Sequence, residues 1–128
     1  MTIIHSPKEL IRLPCTTVSE FEMDATTESG KAVLAVSGSV DLTTAPALRT
    51  RLAELIDDGN TCIVVDLAGT DFLDSTGLGA LVAALKRLRM KNGEIRIVCT
   101  SGHVRKVFEI TSLDRVFGMH ESLEAALA

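Results

Sequence analysis

Tryptophan and tyrosine are absent from this 128-residue chain, and aromatic residues make up only 3% of it. That removes the flat side chains on which the bases of a nucleic acid stack. A basic run is missing too. The net charge is −4, with 17 acidic residues against 13 basic ones, so there is no electrostatic footprint for a phosphate backbone. No apolar run reaches the roughly 18 residues of a membrane span. At the amino end Lys8, Glu9 and Arg12 interrupt the apolar residues, which makes a poor signal peptide. The three cysteines, Cys15, Cys62 and Cys99, show no metal-ligand spacing and cannot all pair with one another. Such usage fits a reducing compartment. The chain is expected to be cytoplasmic, with no direct nucleic-acid contact and no membrane attachment.

Catalytic signatures are equally scarce. The only histidines are His5, His103 and His120, and none stands in a setting that suggests a general base. There is no Gly-x-Ser-x-Gly elbow, no Gly-x-x-x-x-Gly-Lys phosphate loop and no Gly-x-Gly-x-x-Gly fingerprint. Asp74-Ser75-Thr76-Gly77 has a superficial likeness to the Asp-Thr-Gly of aspartic proteases. An extra residue separates Asp from Gly, however, and no second copy exists. The expectation is no catalytic residue, no metal, no cofactor and no independent enzymatic activity.

What is present is a folding pattern. Hydrophobic residues at 46% and charged residues at 23% suit one soluble domain with an aliphatic core. Residues 1–17 hold Pro7 and Pro14 with no sustained period and read as an extension; the domain is expected over 18–128. From Val18, Phe21, Met23 and Ala25 alternate with Glu20, Glu22 and Asp24, the period of a strand with one wet face. A turn over Thr26–Gly30 leads to a second strand over Ala32–Val36, giving an antiparallel hairpin. Thr43 or Thr44 can cap a helix with Pro46 in its first turn, Leu48, Leu52, Leu55 and Ile56 on one face, and Gly59 at its end. The charges along that helix, Arg49 among them, read as solvated surface.

Thr61–Leu67, with the unbroken run Cys62-Ile63-Val64-Val65, predicts a central strand. A helix follows with Leu78, Leu81, Val82, Leu85 and Leu88 inward, basic residues near its carboxyl end and Asn92-Gly93 as its stop. Ile95–Val98 predicts another strand, Gly102 precedes a short helix with Val104, Val107 and Phe108 inward, Leu113–Phe117 an edge strand, and Ser122–Ala128 a closing helix. Strands alternating with helices after a hairpin define an α/β class: a small mixed β-sheet with several helices packed on it.

The chain is organised around Asp71-Phe72-Leu73-Asp74-Ser75-Thr76-Gly77-Leu78-Gly79, between the central strand and its helix. Read alone, this is strand, loop and helix, with Ser75 or Thr76 capping the helix amides. Gly77 and Gly79 add no bulk, so another molecule could approach the first turn closely. A helix start also tolerates negative charge, including phosphate.

Asp-Ser-Thr-Gly-Leu-Gly at 74–79 after a buried strand resembles the phosphoserine motif of anti-sigma factor antagonists, the single-domain STAS proteins of bacteria. A second segment, Gly38-Ser39-Val40-Asp41-Leu42, resembles the Gly-x-x-Asp that precedes that family's first helix. The likeness extends over residues 18–127. It implies a STAS fold with the motif loop exposed at one end. It implies that the unmodified protein binds an anti-sigma factor that is also a serine kinase, which frees a sigma factor. Phosphorylation of Ser75 would then break the complex, and a metal-dependent serine/threonine phosphatase would restore it. By the same resemblance Asp41, Thr43, Asp74, Ser75, Thr76, Gly77 and Leu78 form the partner-binding set. For Asp74, local hydrogen bonding and recognition are both open. Other STAS domains are scaffolds of stress-sensing assemblies or small subunits of lipid transport systems, which is the alternative reading.

Overall fold

Ser29 and Gly30 both take positive φ, 53° and 76°, and turn the chain between β1 (Glu22–Glu28) and β2 (Lys31–Val40). Two left-handed residues give a turn whose twist matches that of the flanking strands. The pair is antiparallel, with Ala25 opposite Leu34 and Glu28 opposite Lys31. The computed structural model describes residues 21–100 and 102–128. The expected extension over 1–17, the strand start at Val18, Cys15 and His5 lie outside the described residues.

After the hairpin come α1 (Ala45–Asp57), β3 (Cys62–Leu73), α2 (Ser75–Arg89), β4 (Glu94–Val98), α3 (Gly102–Ile110), a 3-10 turn (Leu113–Arg115), β5 (Gly118–His120) and α4 (Leu123–Leu127). The sheet runs β1-β2-β3-β4-β5, and every pairing after the hairpin is parallel. This is the expected mixed sheet. Period-two alternation divides its two faces. Leu34, Val36, Ile63, Val65, Leu67, Ile95 and Ile97 join residues of α1, α2 and α3 in the main core. On the other face Val33, Val64 and Val98 meet Ala126 of α4, with Leu123 and Leu127 partly buried beside it.

Two stretches are redrawn from the sequence reading, besides the second strand's extension from Val36 to Val40. The central strand continues past Leu67 to Leu73, because two register shifts against β2, one before Gly69 pairs with Ser37 and one before Phe72 pairs with Ser39, absorb its extra residues. Asp66 supports the first shift by accepting the Ala68 amide at 3.0 Å, and the buried Thr70 hydroxyl donates to the Val36 carbonyl at 2.9 Å. A Cβ at Gly69 would stand 2.9 Å from Ser37 Cβ, so the close approach of the strands requires glycine there. Second, Leu113–Phe117 is no strand. Phe117 turns inward to meet Phe108 edge-on at 5.8 Å, which tightens Leu113–Arg115 into a 3-10 turn and moves the edge strand to Gly118–His120. The core is thus aliphatic apart from this phenylalanine pair. Cys62 is half-buried at the start of β3, and Cys99 is buried.

A two-loop site at the ends of the central strands

Val40 pairs with Leu73 at the carboxyl ends of β2 and β3, so the chain leaves both strands side by side. Each exit leads into a helix through a turn organised by an aspartate, Asp41 before α1 and Asp74 at the cap of α2. At the first exit Asp41 Oδ1 accepts the Thr43 amide at 2.9 Å, the Thr43 hydroxyl at 2.7 Å and the Thr44 amide at 3.3 Å. The Thr44 hydroxyl accepts the Asp41 amide at 2.8 Å and donates to the Ser39 carbonyl at 2.9 Å. Thr44 occupies the cap position of α1 but caps no helix amide with its side chain. The expected threonine cap is therefore replaced by an aspartate-centred turn, since a carboxylate accepts several donors at once. These bonds, led by that from the Thr43 hydroxyl, hold the Asp41 carboxyl below its ordinary pKa.

At the second exit the cap is Asp74. Its carboxylate accepts the Thr76 and Gly77 amides at 2.9 and 3.2 Å and also the Thr76 hydroxyl. The expectation of Ser75 or Thr76 as the cap is corrected: Ser75 is the first helical residue, one position further in. An ionised acceptor makes stronger bonds to the free amides than a hydroxyl, and the basic residues Lys86, Arg87 and Arg89 balance the other end of the helix.

The cap sorts the two hydroxyls. Thr76 is half-buried and commits its proton to Asp74, whereas Ser75 is exposed and makes no hydrogen bond among the described residues. The glycines separate as well. A Cβ at Gly77 would lie 2.5 Å from Leu73 Cδ1 and 2.6 Å from Val40 Cγ1, so this glycine lets α2 sit on the strand ends. Gly79 is exposed, and a Cβ there would meet nothing within 4 Å. Leu78 is only 5% exposed and belongs to the core. Of the seven residues singled out by sequence, Asp41, Thr43, Asp74, Ser75 and Thr76 reach the two-loop surface, while Gly77 and Leu78 support it from beneath.

Beside Ser75 runs a groove between α1 and α2, lined by Ala45, Pro46 and Arg49 from one helix and Thr76, Gly79 and Ala80 from the other. Leu42 stands at its mouth, 71% exposed. On the neighbouring strand Phe72 is exposed and stacks on His103 at 6.2 Å. None of Leu42, Arg49, Phe72 or His103 was singled out from sequence. The available signal was Leu42, an apolar residue in a loop otherwise composed of Asp and Thr.

Among the described residues no His, Cys, Asp or Glu cluster could hold a metal ion, and no helix is long and apolar enough to cross a membrane. A mixed five-stranded sheet with paired, capped loops at one end is the architecture of a STAS domain. Residues 22–126 match that family, and the chain belongs to it. It is similar to the anti-sigma-B factor antagonist of Staphylococcus aureus, with 33% identity over 102 residues that cover 80% of this chain and 94% of the relative. Among solved structures it resembles an anti-sigma factor antagonist from Mycobacterium paratuberculosis, with TM-score 0.79, 30% identity, and coverage of 84% of this chain and 92% of that one. The Bacillus cell fate determinant SpoIIAA in its phosphorylated form shares the fold at TM-score 0.64 and 22% identity, over 83% of this chain and 96% of that one.

Proposed function

We propose that this protein is an anti-sigma factor antagonist whose binding is switched off by phosphorylation of Ser75. In the unmodified state the two-loop surface, with Asp41, Thr43, Asp74, Ser75 and Thr76 at its rim and the α1/α2 groove beside them, binds an anti-sigma factor and so releases a sigma factor. Gly77 and Leu78 contribute by setting the height and angle of α2. The anti-sigma factor acts as a serine kinase: the γ-phosphoryl group of ATP passes to Ser75 Oγ, which gives up its proton, and ADP leaves. A metal-dependent serine/threonine phosphatase removes the phosphate by hydrolysis. The protein itself is a cytoplasmic binding module with no activity of its own.

One observation carries this reading. The Ser75 hydroxyl is exposed and uncommitted at a helix start, while its neighbour Thr76 is bound to Asp74. A phosphoserine carries about −1.5 to −2 charges at neutral pH, and a helix N-terminus favours such charge, so the fold tolerates it. The relatives' names as anti-sigma factor antagonists support the partner class.

The test is to capture the partner from the native cell, mix it with the protein and ATP, and map the phosphate. A single phosphate on Ser75 with release of the complex is expected. A phosphate on Thr76, or no modification, overturns the assignment and favours a scaffold or transport-subunit role.

A further inference from the structure

Among the described residues that line the groove beside Thr76 and Gly79, Arg49 is the charged one; it also reaches a smaller hollow further along the two helices, which Arg87 lines with it. Its neighbours are already engaged: Arg51 holds Glu54 at 3.0 Å and Arg87 holds Asp57 at 2.6 Å. Arg49 is exposed and has no carboxylate partner among the described residues. Across the groove, Gly79 stands one turn beyond Ser75 on α2, and residues four apart share a helix face. Side chains on a helix lean toward its N-terminus, so the group at position 75 leaves α2 on the helix face it shares with Gly79, toward the helix start. Thr76, next to Ser75, lines the same groove as Arg49.

We propose that Arg49 is the counter-ion of phosphorylated Ser75. Its guanidinium pairs with the phosphate of its own chain and in doing so lies across the mouth of the groove. Arginine suits this role because its planar fork of donors matches two phosphate oxygens at once, which an ammonium does not. Modification then does more than charge the rim. It draws Arg49 away from an incoming partner and covers the apolar floor formed by Ala45, Pro46 and Ala80. This rests on Ser75 being the acceptor, as proposed above.

The contact is testable without the partner or its kinase. Phosphoserine is installed at position 75 of the full chain during translation, and the phosphate is titrated by 31P NMR. A nearby cation favours the dianion and lowers the second phosphate pKa. The helix amides act on every variant alike, so differences between variants isolate the side chain. Arg49→Ala is expected to raise that pKa by about half a unit or more, and Arg49→Lys by less. Arg51→Ala, about 200° round the helix from Arg49 and already paired with Glu54, should move it by less than about 0.1 unit. The proposal is overturned if Arg49→Ala titrates as the parent does, or if Arg51→Ala shifts the phosphate equally. Since the phosphate is placed synthetically, failure here leaves the acceptor assignment standing, and that assignment fails only in the mapping experiment.

Discussion

The Asp74 amide donates to the Val40 carbonyl at 3.2 Å, and this single backbone bond ties the start of α2 to the end of β2. It joins the two loops of the site, so the Asp41 turn and the Asp74 cap hold their relative positions through the main chain. Side-chain changes at the rim therefore need not disturb the loops' spacing, and the predictions below separate cap, packing and binding roles.

Asp74→Ala removes the acceptor for two helix amides and a hydroxyl. Loss of such a cap costs about 1–2 kcal/mol. Urea unfolding should show a lower midpoint with an unchanged slope, and Asp74→Asn should recover most of the loss. An unchanged midpoint in Asp74→Ala would show that the cap bonds are not stabilising.

Asp41→Ala is expected to lower the melting temperature as well as partner affinity, because the carboxylate organises the turn into α1. Its folded-state pKa is depressed, so its contribution is present above the ordinary carboxylate value and fades as pH falls through the lower folded value. As pH falls below the ordinary carboxylate value of about 4, the gap in stability between the parent and Asp41→Asn should begin to narrow, and it closes only below the depressed folded value. Parallel melting curves across that range would contradict the assignment.

The two glycines give opposite outcomes. Gly77→Ala forces a methyl group against Leu73 and Val40, and overpacking of this kind costs roughly 1–3 kcal/mol. Gly79→Ala meets open space in a helix interior and should stabilise by up to about 1 kcal/mol. Gly79→Leu should fold yet bind the partner weakly, since it fills the groove. Tight binding by Gly79→Leu would place the docking surface elsewhere.

Ser75→Ala should bind the anti-sigma factor persistently and resist release by ATP, whereas Ser75→Asp should bind poorly. A like-charge contact at about 5 Å is worth roughly 3 kcal/mol at an effective dielectric of 20. That corresponds to about a hundredfold loss in affinity. Equal affinity of Ser75→Asp and the parent by calorimetry would remove the electrostatic switch.

Sequence pattern made the fold class readable, since Met23 and Ala25 alternate with Glu22 and Asp24, the unbroken run Cys62–Val65 marks the central strand, and α1 and α2 carry clear apolar faces. It failed where tertiary contacts set local structure. Ala68-Gly69 has the composition of a strand end, and only the cross-strand contact of Gly69 with Ser37 shows that β3 runs on. Leu113–Phe117 has the composition of an edge strand, yet the Phe108–Phe117 contact decides its shape. At the site, the motif at 74–79 was legible as a block but its division of labour was not. Which of Asp74, Ser75 and Thr76 caps the helix depends on a one-residue placement of the helix start, below the precision of a sequence boundary. Arg49 was hidden for another reason: an exposed arginine on a helix looks the same whether or not a groove lies beside it.

The hydrogen bonds around Asp41 and Asp74 satisfy both loops from within the chain, which makes the recognition surface preorganised. A partner that docks there orders few new torsions, so little of its contact energy is lost to chain entropy. Encounter then needs no prior rearrangement, and the complex should form at rates set by diffusion and orientation. On the proposed reading its lifetime, rather than its rate of formation, is the quantity that a phosphate on Ser75 would control.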